Sequence, residues 1–488
     1  MTASASGTGQ FTRAFGLVDS TAMVVGSMIG SGIFIVSAET ARYLGSPGWL
    51  LVSWVLAGVM TVCAALCYGE LASMYPHAGG QYVFLREAYG KLFGFLYGWT
   101  LFAVIQCGTI AAVAVGFAKF LGVFVPFVSM SNVLFQAGPW TFMTHQLVWQ
   151  FTTTQLVALI LIAVLTALNC RGVKTGAIIQ VTFTVAKTAA LFLLIALGFL
   201  CVNKHLGLQP NLQNFWQPVS LTGESLNGTH FLAVLALAMV GPLFSCDAWN
   251  NITFAGDEVK DACRTLARSL AMGTAVVTLL YLLANVVYLL LLPLHGTATG
   301  ADVVQRGIQF ASEDRVAAAA AQIIFGPIGA QIMAVAIMIS TFGCTNGLIL
   351  AGPRAYYAMA SDGVFFKKAG ELNPKTNVPT YGLIIQGVWA AILTTTGSYG
   401  NLLEYVIFAA LLFYVLTVMA LFVLRRRLPD AERPYKVFGY PFMPAFYVVA
   451  ASLIMIGQMW LSPQFSGFGL LIILSGLPAY FMWTRARR

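Results

Sequence analysis

Charge is what this chain lacks most: only 9% of its 488 residues are Asp, Glu, Lys or Arg, whereas a water-soluble domain carries about a quarter. Too few polar groups remain to coat a surface of this size with water. Hydrophobic residues make up 59% of the chain and the mean hydropathy is +0.81, so lipid is the solvent the composition implies. Acidic residues are scarcer than basic ones, 17 against 26. The basic residues are scattered between apolar runs, which speaks against a nucleic-acid face. The eight cysteines show neither a CxxC pair nor secreted spacing, and read as small packing residues without a disulfide framework. No basic stretch or cleavage pattern precedes the first apolar run, so the first helix is expected to stay as an anchor. HExxH, GxSxG and paired intramembrane carboxylates are missing. The five histidines lack metal-ligand spacing, and no cofactor or metal is expected. Enzyme chemistry loses its usual carriers. A channel loses ground as well, for want of a repeated filter.

What is present is long apolar runs. A helix needs about 20 such residues to cross the hydrocarbon layer. Twelve runs qualify: 15–38, 48–73, 93–121, 148–168, 176–200, 230–256, 269–293, 318–345, 380–396, 402–424, 440–461 and 467–484. The segment 80–90 is too short and polar to span and is expected along the inner interface. A similar amphipathic piece is expected at 354–368. Lys and Arg set the orientation. Arg42, Lys119, Lys204, Arg306 and Arg315 fall on one side, Lys187 lies within a span, and the other 20 of the 26 fall on the opposite side. That asymmetry predicts both termini in the cytoplasm of a cell-membrane protein.

Two spans contain residues that a plain lipid-facing helix avoids. The first holds Gly26, Gly30 and Gly32 within seven residues, and glycine weakens helix. The sixth holds Gly241, Pro242 and Asp247, costly at membrane depth unless the backbone there lines a cavity. These spans open two successive sets of five. Inverted-repeat transporters place broken helices in that register, facing each other at the midplane. Amides at one break suit a carboxylate, and freed carbonyls suit an ammonium, so an α-amino acid fits both. The plainer alternative for the glycines is a small-residue packing face.

The residues around these breaks carry a resemblance. GSMIGSGIF (26–34) resembles the first-helix motif of the amino acid–polyamine–organocation superfamily. LGSPG (44–48), ALCYGEL (65–71), AGGQYVFLREAYG (78–90), LNCRGVKTG (168–176), AKTAAL (186–191), STFGCTNG (340–347), RRRLPDAERPYKV (425–437) and ILSGLPAYF (473–481) resemble its L-type amino acid transporter branch. The likeness covers essentially the whole chain. It implies an all-α integral membrane fold of twelve helices, built as a five-plus-five inverted repeat with helices 1 and 6 discontinuous and two further C-terminal helices. The expected division is a tail at 1–14, repeats at 15–202 and 203–428, and a last pair of helices with the C-terminal tail at 429–488.

The resemblance further implies sodium-independent transport of neutral L-amino acids by alternating access, with exchange as its usual form. The alternative is proton-coupled uptake of cationic or small polar amino acids. The backbone of Ile29, Gly30, Ser31 and Gly32, with the Ser31 hydroxyl, is similar to the family's carboxylate cradle. The carbonyls of Met28, Phe244 and Asp247 match its ammonium acceptors. Phe244 resembles an aromatic gate, with core packing as its alternative. Ser245, Trp249 and Asn250 belong to the same broken segment, and Thr109 and Phe408 are candidates for the side-chain pocket. Lys187 stands where related sodium-coupled transporters hold sodium, with Ser340 and Thr341 as hydroxyl partners. A static ion pair is the other reading of that lysine. Asp247 departs from animal members, which commonly carry glycine there. It either caps the half-helix that follows or faces the pocket. Glu70 is expected to anchor loops. Animal members are often linked to a glycoprotein heavy chain through a cysteine in the loop between spans three and four. Here 122–147 has none, so no covalent heavy-chain partner is expected.

Overall fold

The computed structural model describes residues 13, 15–142, 145–396 and 399–485, and side chains are not described at 139–148, 173–181, 399–402, 405 and 465. Residues 1–12 and the terminal Arg487 and Arg488, used above for orientation, lie outside the described set. Among the described residues, eleven helices are long and apolar enough to cross a membrane. The helix Thr380–Thr396, at 17 residues, occupies the ninth of the twelve expected spans. All eight cysteines are free.

The first span is not one helix. Leu17–Met28 ends where Ile29 turns extended, at φ −73° and ψ 90°. Helix resumes at Gly32–Ile35 and runs on through Ser37–Leu44. The sixth span is likewise divided into Gly228–Ala238, Val240–Ser245 and Asn251–Phe254. In its gap Ala248 takes φ +63°, a left-handed conformation that a residue with a Cβ rarely adopts. Pro242 offers no amide to the carbonyl of Ala238 four residues earlier. That carbonyl accepts instead from the Thr40 hydroxyl at 3.4 Å, which ties the second half of the first span to the sixth.

Two expectations need correction. The fourth span begins at Thr153, not at 148, because Val133–Phe142 and His145–Thr152 pair as an antiparallel hairpin that no helical reading foresees. The eighth span is Pro327–Ser361, preceded by a separate helix Val316–Phe325. It therefore extends well past 345, and Arg354 belongs to it rather than to an interfacial piece. The short helix Gln81–Tyr89, expected along the interface, is also packed against the other spans. Gln81, Tyr82, Phe84, Leu85 and Ala88 are buried in the bundle.

The eighth span survives Pro353 in mid-helix because the Ile349 carbonyl it frees is taken by a neighbouring span, and a second span reaches the region from another side. Gln386 donates to the Ile349 carbonyl at 3.1 Å and Gln106 to that of Leu348 at 2.7 Å. Glu70 accepts both Arg425 nitrogens, at 2.9 and 2.6 Å, and the Val437 amide at 2.7 Å. It anchors the loop after the tenth span at the basic end of the bundle.

Candidate functional site

The two broken segments touch. A Cβ on Gly32 would fall 2.2 Å from Ser245 Oγ and 3.0 Å from Ser245 Cα, so glycine is required for the first and sixth spans to approach this closely. A Cβ on Gly241 would fall 2.2 Å from Val36 Cγ1. The alternative of a packing face is thus correct for the contact itself. Yet the contact joins the two places where helix stops.

Backbone carbonyls at the first break have lost their helical partners, and side chains from three other spans reach them. Lys187 on the fifth span, 1% exposed, donates to Gly26 at 2.5 Å and to Ile29 at 2.7 Å. Ser340 on the eighth donates to Ile29 at 3.2 Å and Gly30 at 3.3 Å. Cys344 sits 3.2 Å from the Ser27 carbonyl, and Tyr281 on the seventh span donates to Met28 at 2.9 Å. Lys187 and Ser340 therefore converge as the sequence suggests. Thr341 does not: its hydroxyl bonds to Ile337 and Met338 of its own helix. Tyr281 and Cys344 are additions that sequence reasoning missed. The Met28 carbonyl, expected to face an ammonium, already has one protein donor and keeps a single lone pair. An isolated ammonium this deep is costly unless every proton finds a partner. The carbonyls opened by the helix break supply two of those partners.

A narrow cavity lies beside the sixth-span break. Asp247, Ala248, Asn250 and Asn251 form one wall, and Leu101, Ile105, Gln106 and Thr109 of the third span form another. Leu348 of the eighth span, Ala410 and Tyr414 of the tenth, Gln81 and Tyr97 complete it. The third span bulges here into a π turn over Leu101–Ile105, an irregularity common at functional sites. The Trp389 indole steadies it by donating to the Ala103 carbonyl at 2.8 Å.

Asp247 is on this cavity wall. Tyr414 donates to its Oδ1 at 2.5 Å, while the following helix start at Asn250 shows no side-chain cap. Of the two readings of Asp247, the pocket-facing one matches the geometry. Trp249 packs one layer behind, with ring centroids 4.7 Å from Tyr68 and 5.4 Å from Tyr414. Asn250 lines the cavity and donates to Gln81 at 3.1 Å, which in turn donates to Thr417 at 3.0 Å. Ser245 bonds to Gly241 of its own segment at 2.9 Å. Phe244 and Ser31 are buried at the two breaks. Thr109 lines the cavity as proposed, but Phe408 does not. Its ring packs where a Cβ on Gly469 of the last span would stand, 3.1 Å away. The cradle residues 28–32 border the sixth-span break rather than the cavity. No group of three or more His, Cys, Asp or Glu suited to a metal occurs among the described residues.

Comparison with known proteins adds an independent line. A family profile described as "Amino acid permease" matches residues 15–482. The chain is 28% identical over 472 residues to the serine/threonine exchanger SteT of Bacillus subtilis, covering 96% of each chain. It is 29% identical over 478 residues to the large neutral amino acids transporter small subunit 2 of Homo sapiens, covering 96% of this chain and 80% of that one. It is 27% identical over 472 residues to the b(0,+)-type amino acid transporter 1 of Mus musculus, with coverages of 96% and 87%.

Proposed function

The chain belongs to the amino acid permease family, and from that premise we propose that it exchanges neutral L-amino acids across the cell membrane by alternating access. The observation that carries this reading is the meeting of two interrupted helices at Gly32 and Ser245 beside a polar cavity. Substrate carboxylate goes to the amides that open the second half of the first span. The ammonium goes to the carbonyl side of the breaks, with the Asp247 carboxylate close by. The names of the relatives, an exchanger and two transporters, support the same reading.

Both termini are assigned to the cytoplasm, on the strength of the basic residues gathered at that end. The two sets of five spans, 15–202 and 203–428, form the inverted repeats, and 429–488 adds the last pair. No covalent heavy chain is assigned, since the loop at 122–147 has no cysteine.

Lys187 supports sodium-independent transport as part of this proposal. Its ammonium already sits on the Gly26 and Ile29 carbonyls with Ser340 alongside, so a fixed cation stands where a mobile one would be needed. Protein reconstituted in liposomes and assayed for counter-flow of a panel of labelled L-amino acids tests both claims. We expect counter-flow of neutral amino acids at the same rate in sodium and in choline. Lys187→Ala is expected to abolish it, because two buried carbonyls lose their donor. No counter-flow of any amino acid ends the transporter reading; a strict sodium requirement ends the assignment of Lys187. A steep dependence on an imposed pH gradient, with arginine or lysine as the best substrate, would favour the proton-coupled alternative, in which Asp247 meets a cationic side chain.

A further inference from the structure

Nearly every polar group around the cavity has a protein partner. Gln106 spends an amide proton on Leu348, Gln81 and Asn250 hold each other, and Tyr414 donates to Asp247. The Thr109 hydroxyl donates to Ile105 at 2.6 Å, which leaves its oxygen able to accept. Two groups are different, the Tyr97 hydroxyl and Asn251. Both line the cavity, Asn251 is 3% exposed, and neither the Tyr97 hydroxyl nor Asn251 Nδ2 has a hydrogen-bond partner. A buried amide donor is almost always satisfied, and leaving one unmet is costly. The remaining needs around the cavity are therefore one acceptor for Asn251, a partner for the Tyr97 hydroxyl and, at Thr109 on the facing wall, one donor.

We propose that Asn251 is a specificity-determining residue, and that the preferred substrates are L-amino acids with a short side chain carrying oxygen, either a hydroxyl or a carboxamide. This deepens the function proposed above and rests on it. A hydroxyl meets two of those needs at once, accepting from Asn251 and donating to Thr109. A carboxamide does the same with two atoms. A branched aliphatic side chain of equal size leaves Asn251 as it is, and a site built to bond a hydroxyl rejects the analogue without it. Neither the broken helices nor the α-groups of the substrate enter this discrimination, since all neutral amino acids share them.

Threonine and valine differ by a hydroxyl for a methyl at nearly constant shape, so they isolate the effect. In liposomes holding the full chain, unlabelled L-threonine is expected to compete with labelled L-serine at least about 10-fold better than L-valine, the scale of one unmet buried donor. Asn251→Leu keeps the bulk and removes the donor, and should bring the threonine-to-valine ratio close to one while both still compete. If Asn251→Leu does not yield folded protein, Thr109→Val on the third-span wall should lower the ratio. Equal competition by threonine and valine in the unaltered protein overturns the proposal, as does an unchanged ratio in Asn251→Leu. Arginine outcompeting both overturns it too, by placing a cation at Asp247. These failures differ from that of the transporter reading, in which no amino acid shows counter-flow at all.

Discussion

Gly32→Ala should reduce amino acid counter-flow by about 100-fold or more while the protein still folds. The added methyl would stand 2.2 Å from Ser245 Oγ, 2.8 Å from its Cβ and 3.0 Å from its Cα. The hydroxyl is held by the Gly241 carbonyl, and the Cα belongs to a backbone that cannot swing aside, so the two spans must separate. Overpacking of this kind costs about 1–3 kcal/mol in a folded core, which a bundle of this size tolerates. Catalytic geometry is less forgiving: misplacement by about 1 Å can cost about 100-fold in rate. The same reasoning ranks the neighbouring change. A methyl on Gly30 would meet the Cys344 sulfur at 3.1 Å and nothing nearer, so Gly30→Ala should cost only a few-fold. Ser245→Gly removes two of the three close atoms, and in the Gly32→Ala background it should restore a substantial part of the activity. Counter-flow rates for the four proteins, with thermal unfolding as a control for folding, decide the matter. Wild-type transport by Gly32→Ala would mean that contact between the breaks is not needed.

How much of this was legible beforehand depends on whether a residue's partner is close in sequence. The spans and both breaks could be read because hydropathy, glycine and proline act locally. Lys187 was legible as a lone deep charge, although its partners at Gly26 and Ile29 lie more than 150 residues away. The cavity was harder. Gln81 sits in a segment whose polarity suggested an interface, and only the fold brings it to Asn250 and Thr417. On the tenth span the choice of Phe408 failed by helical phase. Each residue turns about 100°, so Ala410 lies about 200° further round, and Ala410 and Tyr414 share the face that Phe408 turns away from. The eighth span is expected to end at 345 with an amphipathic piece at 354–368, whereas the helix runs on to Ser361. The glutamines that reach its Leu348 and Ile349 carbonyls come from the third and ninth spans, which no local pattern reveals.

Arg354 also shows how burial decides the weight of a charge. Its guanidinium donates to both oxygens of Glu258, Nε to Oε1 at 2.5 Å and Nη2 to Oε2 at 3.2 Å, and a third nitrogen reaches the Leu350 carbonyl. The residues are 3% and 4% exposed. Glu258 follows the sixth-span break, and its backbone carbonyl accepts from the Phe15 amide at 3.0 Å while Phe15 accepts from Lys260 at 2.9 Å. One ion pair therefore holds the eighth span to the entry of the first and the exit of the sixth. Arg354→Met should destabilise the protein by about 3–5 kcal/mol, because a carboxylate is left buried without a counter-charge. Replacing both partners, as Arg354→Met with Glu258→Leu, removes the stranded charge and should recover most of that loss. The pair between Arg86 and Asp362 serves as the contrast. Both of its side chains are 27% exposed, water screens them, and Arg86→Met should cost no more than about 1 kcal/mol. Thermal unfolding of the purified proteins in lipid nanodiscs tests the ranking. An Arg354→Met protein that unfolds at the wild-type temperature would show that the buried pair contributes no stability, and that the closure of this end of the bundle rests on backbone contacts alone.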